Sequence, residues 1–266
     1  MARLKTLRSV RGRIVERWVF NFRVPPSEAA RMVPVPWLTP LLVDGSAVFS
    51  FCPYRVDQVR IGPLAMPHRR PMFFSAARLT VIDTRDPSGR TVAWVPGRES
   101  SALGAAMIGA LVLGIRFRRV TVAVHEGPGA TQRLTIGERH ACRFSATIVE
   151  SSGTSGPSGS RAMGTRLFAT TSQFERFFEC GVSRSPAWRA SASPAPAIAR
   201  LDLDAPGTRW SALEAMNVTG DVIPPGANFD SAFRGVGGAY HWSAGGDDQR
   251  LALTPRPTPL RPPNSG

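Results

Sequence analysis

The sequence predicts an α+β fold, built mainly on an antiparallel β-barrel or strongly curved sheet, with one buried helix and a few short helices. Many short segments alternate between apolar and polar residues, as strands with one buried face do. The 24 prolines and 25 glycines favour frequent turns. Several of the strand-like segments flank a short turn, which implies antiparallel hairpins.

The first strand is expected at residues 11–24, where even positions are mostly apolar and odd positions carry arginine or asparagine. This alternation predicts one buried and one polar face. Pro25 and Pro26 end the strand. Ser27 is then expected to cap a short helix that ends at Met32.

The next segments predict three more strands, at residues 46–56, 71–83 and 90–95. Pro53 lies inside the first of them and is expected to bend it or to place it at a sheet edge. Residues 86–89, Asp-Pro-Ser-Gly, form a turn that makes the other two a hairpin.

The clearest helix is expected to end at Leu113, with Ser100 or Ser101 as its cap and Gly114 as its stop. It is apolar nearly all round, which predicts burial on most faces. The surrounding apolar stretch has only 14 residues, at 102–115, and is therefore too short to span a bilayer.

The rest of the chain reads as further strands, one short helix and two irregular segments. A strand is expected at 116–124, a hairpin at 131–136 and 140–149, a loop at 151–160, a helix at 171–178, short strands within 187–242 and a disordered proline-rich tail at 251–266. We therefore expect an N-terminal tail at 1–10 and one barrel domain at 11–250.

The net charge of +14 does not by itself indicate a nucleic-acid-binding protein. Of the 33 basic residues, 32 are arginine and one is lysine, Lys5, and they are spread along the chain. The densest group, Arg116, Arg118 and Arg119, has no interleaved aromatic residues on which single-stranded bases would stack. A solvated basic surface accounts for the charge more simply.

The three cysteines and four histidines show neither a disulfide framework nor the close spacing of metal ligands. Residues 1–10 are basic but precede no apolar run, so no signal peptide is expected. We expect a cytoplasmic protein with free, mostly buried thiols, no metal and no cofactor. Its expected partner is a small organic molecule.

Four groups of residues together resemble a known family. They are Phe20-Asn21-Phe22-Arg23-Val24 followed by Pro25, Leu42-Val43-Asp44-Gly45 leading into Ser50-Phe51-Cys52-Pro53-Tyr54-Arg55, Arg98-Glu99-Ser100-Ser101, and Asp230–Arg234 followed by Gly238–Trp242. Over roughly residues 11–245 the chain resembles the bacterial family called domain of unknown function 2071, or YqjF-like, which is related to the acetoacetate decarboxylase-like superfamily. The resemblance implies a cone-shaped antiparallel β-barrel with a small-molecule cavity.

The resemblance does not extend to the superfamily's best-understood chemistry. In acetoacetate decarboxylase a barrel lysine with a lowered pKa forms a Schiff base with a keto acid. Lys5 is the only lysine here, and it precedes the first strand. Arginine cannot replace it, because its guanidinium stays protonated. The resemblance therefore implies a fold and a cavity without imine chemistry.

Arg23 and Arg55 each end a predicted strand, where a planar guanidinium could bind a carboxylate in a bidentate manner. The alternative is that each is a surface arginine or is paired with Glu16 or Asp57. Glu99, ahead of the buried helix, is the candidate general acid or base. Its alternative role is to cap the helix and compensate its dipole.

Arg234, Tyr240 and His241 lie in the last group of the resemblance and are candidate substrate-binding residues. A tyrosine hydroxyl and an imidazole can orient a ligand, although aromatic residues in a terminal strand also serve as packing. Arg23 and Glu99 complete the candidate site as its catalytic pair.

Two functions follow from these observations. The first is a barrel that binds a small carboxylate or carbonyl compound and, if it is an enzyme, acts as a lysine-independent lyase or isomerase. The second is a non-catalytic protein whose basic face meets an acidic partner or surface. Arginines that converge inside the barrel favour the first, and arginines on one outer face favour the second.

Overall fold

The computed structural model describes residues 9–66, 71–86, 89–129, 131–138, 141–149, 165–178, 181–187, 198–204 and 206–244. The loop predicted at 151–160 and the tail predicted at 251–266 lie outside these residues.

Strands dominate the part of the chain that is described. They are β1 (Ser9–Val24), β2 (Leu38–Pro40), β3 (Leu42–Val43), β4 (Ser46–Ile61), β5 (Leu64–Ala65), β6 (Met72–Asp83), β7 (Thr91–Ser100), β8 (Arg118–Arg119), β9 (Thr121–Glu126), β10 (Thr131–Glu138), β11 (Ala141–Val149), β12 (Val182–Pro186), β13 (Ile198–Asp204), β14 (Arg209–Thr219), β15 (Asn228–Val236) and β16 (Ala239–Ala244). The helices are α1 (Pro26–Met32), α2 (Leu103–Ile108), which continues as a π-helical turn (Gly109–Leu113), and α3 (Thr171–Phe178).

Seven strands close into a barrel in the order β4-β6-β7-β12-β13-β16-β1, and β1 pairs back onto β4. Neighbours are antiparallel except β7 and β12. From β1 a second sheet continues through β15, β14, β11, β10 and β9. The predicted α+β barrel is therefore confirmed.

The barrel wall is covered on its outer face as well as on its inner one. Phe20, Phe51 and Leu79 belong to a core that packs beneath α1 and against Phe144 of the second sheet. We call this the outer core. The opposite face of the same strands lines the barrel interior. Residues 16–22 of β1 and 47–54 of β4 are therefore buried whichever way they point.

Because both faces of the wall are covered, the prediction for the polar face of β1 is corrected. The strand itself was predicted, but its odd-numbered face was expected to be polar and exposed. Arg17, Val19 and Asn21 are instead buried, because that face lines the barrel interior. Asn21 donates to Ser231 Oγ at 3.2 Å and accepts from Ser50 Oγ at 2.7 Å, so its amide is hydrogen-bonded inside the protein.

Two local expectations were wrong. Ser27 does not cap α1: Pro25 occupies the N-cap position with no side-chain hydrogen bond, and Pro26 is the first helical residue, where its missing N–H costs nothing. Of the two roles expected for Pro53, the edge position is wrong, because β4 pairs with β6 at Pro53 and with β1 on both sides of it; the bend stays a prediction.

The apolar helix is less buried than expected. Ser100 Oγ accepts from the Ala102 N–H at 3.1 Å, as predicted for a capping serine, and Gly114 ends the π-helical turn at a φ of 67°. However, Met107 and Leu111 are 64% and 75% exposed. The side that carries Ala105 and Leu113 faces the barrel. No helix in the described parts of the chain is long and apolar enough to cross a membrane.

Candidate functional site

Two irregularities in strand pairing decide which arginines point into the barrel. On β1, Ile14 pairs with Val56 but Glu16 pairs with Arg55, so Val15 is an extra residue. After it, the inward positions change from even to odd, and Arg17 points inward. Such bulges commonly redirect side chains beside functional sites.

A second bulge lies on β7. Trp94 pairs with Leu79 and Gly97 pairs with Ala77, so two residues of β7 oppose one residue of β6. Trp94 therefore belongs to the outer core, while Arg98, four positions later, contacts the interior serines of β12. Arg78, the β6 residue opposite the bulge, lies on the interior face as well.

Three arginines converge inside the barrel, and we call Arg17, Arg78 and Arg98 the arginine cluster. Their exposed fractions are 6%, 7% and 8%. Arg98 donates from Nη2 to Ser183 Oγ at 3.0 Å and from Nε to Ser185 Oγ at 3.4 Å. Burial lowers the pKa of its guanidinium, because a dry environment disfavours the charged form.

The C-terminal end of α3 closes one side of the cluster. Arg78 donates from Nη1 to the Phe178 carbonyl at 2.7 Å, and its Cζ lies 4.3 Å from the centre of the Phe178 ring. Arg17 faces the same ring at 5.5 Å and the Tyr54 ring at 5.2 Å. The predicted helix 171–178 is thus confirmed, and its last residue, Phe178, forms part of the wall of the site.

Cys52 and Tyr54 lie among the three guanidinium groups. Burial raises the pKa of Cys52 to about 11, although the charges of Arg78, Arg17 and Arg98 oppose the rise. Burial also raises the pKa of Tyr54. The Tyr54 hydroxyl therefore stays protonated at neutral pH and can donate a hydrogen bond.

This arrangement suits a small anion. Guanidinium groups bind carboxylates through paired, charge-assisted hydrogen bonds, and such bonds are stronger away from water. Tyr54 can add a neutral donor to a carboxylate or carbonyl oxygen. The aromatic rings of Phe178 and Trp242 flank the charges, the latter 5.7 Å from Arg98 Cζ.

An apolar cavity of about 30 Å³ adjoins the arginine cluster beneath α2. Its walls come from β1, β4, β6 and β16, from α2 and the π-helical turn, and from Met66 and Phe117 beside them. The lining residues are Val10, Val59, Met66, Met72, Phe74, Ala105, Gly109, Leu113, Phe117, Tyr240 and Trp242. Burial raises the pKa of Tyr240, which therefore stays neutral.

Glu99 faces away from this interior. It accepts from Ser75 Oγ at 2.7 Å and from Arg143 Nε at 2.7 Å, on the side of β7 that meets the second sheet. Burial by itself lowers the pKa of Arg143, but Glu99 and Asp221 raise it overall. The acid-base role of Glu99 stays a prediction, and its visible role is to join the barrel to β11.

The other predicted arginines are held by carboxylates. Arg55 and Arg234 both bind Glu16, the latter from Nε to Oε1 at 2.7 Å. The alternative pairing of Arg55 with Glu16 is therefore present. Arg23 lies 3.5 Å from Asp230 Oδ1 through its Nε.

Of the six predicted residues, Tyr240 alone lines a described cavity. It packs over Gly12, where an added Cβ would lie 2.7 Å from the tyrosine ring. His241, its neighbour on β16, points to the opposite face and pairs in register with Arg11 and Asp204. Their ligand-binding roles stay predictions.

Sequence reasoning missed Arg17, Arg78 and Arg98. One signal was present, because Val19 interrupts the supposedly polar face of β1. Nothing comparable marks Arg78 or Arg98 among 32 arginines. In the described residues, no three His, Cys, Asp or Glu side chains converge as a metal site would require.

Comparison with known proteins places this architecture in a class. The chain matches no known family profile and no curated protein. Its fold is similar to acetoacetate decarboxylase from Legionella pneumophila, with a TM-score of 0.57 and 10% identity over 89% of this chain and 87% of the other. An acetoacetate decarboxylase-like enzyme from Sphingomonas wittichii has a similar fold, with a TM-score of 0.55 and 10% identity over 89% of this chain and 91% of the other.

A third similar structure is the enduracididine biosynthesis enzyme MppR complexed with pyruvate. Its TM-score is 0.52, with 14% identity over 90% of this chain and 88% of the other. These likenesses show that the chain has the acetoacetate decarboxylase-like fold. The narrower resemblance to domain of unknown function 2071 stays a prediction.

Proposed function

We propose that this protein binds a small organic carboxylate or carbonyl compound inside its barrel, without Schiff-base chemistry. The observation that carries the proposal is the arginine cluster. Arg17, Arg78 and Arg98 are buried together, and Arg98 has only serine hydroxyls and an aromatic ring as partners among the described residues. A buried charge in such surroundings is costly until an anion joins it.

The ligand's carboxylate binds the guanidinium groups, and Tyr54 donates to its second polar group. A 2-oxo acid satisfies both requirements, and MppR, which shares the fold, has been solved with pyruvate bound. Pyruvate is therefore the first probe.

A reaction at this site would proceed without an imine, since no lysine follows Lys5 in the sequence. Stabilisation of an enolate by arginine and tyrosine, as in a lyase or an isomerase, matches the groups present. Tyr54 is better placed than Glu99 to exchange a proton with a ligand in the barrel, because Glu99 points toward Arg143.

The competing proposal of a basic interaction surface is less well supported. It requires arginines gathered on an outer face, whereas three of them converge inside the barrel. Several outer ones are neutralised by carboxylates, as Arg13 is by Asp57 at 2.5 Å.

The test is calorimetric titration of the purified protein with pyruvate, acetoacetate and the uncharged methyl pyruvate. Both acids should bind and the ester should not. Arg98→Met should weaken pyruvate binding roughly 30-fold or more, because removing one partner of a buried charge pair costs about 2–5 kcal/mol. The matched control is Arg118→Gln, which removes an exposed arginine paired with Glu138 and should leave the affinity unchanged.

Two results would overturn the proposal. One is that neither acid binds, and the other is that Arg98→Met and Arg118→Gln bind pyruvate equally well. Reduction with borohydride in the presence of pyruvate should leave the protein mass unchanged. A trapped adduct on Lys5 would overturn the imine-free part of the proposal.

A further inference from the structure

We infer that the ligand carries a short unbranched alkyl group, which lies in the apolar cavity beneath α2. This inference rests on the proposed function and specifies the class of ligand: a 2-oxo acid with a chain longer than that of pyruvate. Its basis is that Trp242 and Phe74, which line the cavity, lie against Arg98 and Tyr54.

The cavity and the arginine cluster share their walls. Trp242 lines the cavity and lies 5.7 Å from Arg98 Cζ. Phe74 also lines the cavity, and its ring stacks on Tyr54 with centroids 5.6 Å apart. The Tyr54 ring meets Trp242 edge-on at 6.0 Å. A molecule held by Arg98 and Tyr54 therefore contacts two aromatic residues, Phe74 and Trp242, whose side chains also line the cavity.

The chemical character of the cavity selects an alkyl group. Except for the Tyr240 hydroxyl, its lining side chains are hydrocarbon or thioether, or in the case of Trp242 largely aromatic. Apolar cavities tend to stay dry and to accept apolar ligands. A volume of about 30 Å³ is roughly two water-sized spheres, which corresponds to one or two carbon atoms.

Local backbone features keep this space open. A Cβ on Gly109 would collide with the Phe117 ring, so glycine is required where α2 changes to a π-helical turn. Such π-helical irregularities occur often at functional sites. Met66 and Met72, two flexible side chains, border the cavity and can adjust to a chain of a few carbons.

The experiment titrates four acids that share one head group: pyruvate, 2-oxobutanoate, 2-oxopentanoate and 2-oxohexanoate. Affinity should rise about three- to fourfold for each added CH₂ as far as 2-oxopentanoate, because each buried CH₂ contributes about 0.8 kcal/mol. It should then stop rising, because the cavity is filled. The measured quantity is the ratio of the pyruvate and 2-oxopentanoate dissociation constants.

Three variants test whether the effect of chain length on affinity arises in this cavity. Ala105→Leu fills the cavity and should reduce the ratio to about one. Met107→Leu changes the exposed side of the same helix and should keep the wild-type ratio. Met66→Ala enlarges the cavity and should make 2-oxohexanoate bind more tightly than 2-oxopentanoate, which provides a second test if Ala105→Leu fails to fold.

The outcomes separate this inference from the proposed function. If pyruvate binds through Arg98 but chain length has no effect, or if Ala105→Leu keeps the wild-type ratio, the inference is overturned and the anion site remains. If none of the four acids binds, both are overturned.

Discussion

Replacement of Arg98 by methionine should stabilise the unliganded protein, although it weakens ligand binding. The charge of Arg98, which we propose to be a ligand-binding group, is not matched by a carboxylate among the described residues, and burial lowers its pKa. A lowered pKa means that folding disfavours the charged form, which is the form present at neutral pH. Methionine keeps most of the side-chain volume and removes the charge.

The size of the expected stabilisation follows from the contacts of Arg98. Its loss removes one good hydrogen bond to Ser183 at 3.0 Å and one long one to Ser185 at 3.4 Å, together about 2–3 kcal/mol. The substitution also removes the free-energy cost of burying a charge, which is several kcal/mol per ion. The net effect of the substitution is an increase of about 1–2 kcal/mol in the free energy of unfolding, or a rise in Tm of roughly 2–8 °C for a protein of this size.

The assay is thermal unfolding at pH 7 without ligand, with Arg143→Met as the matched variant. Arg143 is also largely buried, but it binds Glu99 at 2.7 Å, so its removal leaves a buried carboxylate unpaired. That loss costs about 3–5 kcal/mol and should lower Tm by roughly 6–20 °C. If Arg98→Met lowers Tm as much as Arg143→Met does, Arg98 is a structural residue and our reasoning is wrong.

Two further predictions concern ionisation. Burial by itself raises the pKa of Asp83, but Arg85 and Arg184 hold it below its usual value, so its stabilisation is present at neutral pH and lost as pH falls through that lowered pKa. The Tm deficit of Asp83→Asn should therefore shrink between pH 7 and about pH 3, and a deficit that stays constant would contradict this. With its pKa near 11, buried Cys52 should react with iodoacetamide far more slowly than exposed Cys142 at pH 8, as peptide mass mapping would measure. Equal rates would contradict the burial of Cys52.

The strands and the barrel class were predictable because strand formation depends on local alternation. Residues 11–24 and 171–178 were assigned to the correct type of element from periodicity alone. What alternation cannot tell is whether a polar face meets solvent or a barrel interior. Arg17 and Arg13 occupy equivalent positions in the sequence pattern, yet the first is buried beside Tyr54 and the second is exposed beside Asp57.

The site was harder to predict because adjacent residues in a strand point in opposite directions. Glu99 attracted attention as an acid beside the buried helix, but its neighbour Arg98 is the residue that points inward. Of the three arginines chosen from sequence, Arg55 and Arg234 bind Glu16, and Arg23 lies beside Asp230. Only three-dimensional pairing distinguishes an arginine with a carboxylate partner from one without.

The two bulges explain how strands whose regular alternation would direct these arginines toward the outer core direct them into the barrel instead. Without the extra residue at Val15, side-chain alternation would direct Arg17 toward the outer core, and without the β7 bulge Arg98 would follow Trp94 there. A charged group in that core would meet phenylalanine and leucine instead of hydroxyls. At each bulge the regular strand pairing is interrupted, and as a result an arginine side chain points into the barrel. Arg17 and Arg98 thus reach the barrel interior through two local irregularities, and this inward placement is the basis on which we propose an anion site.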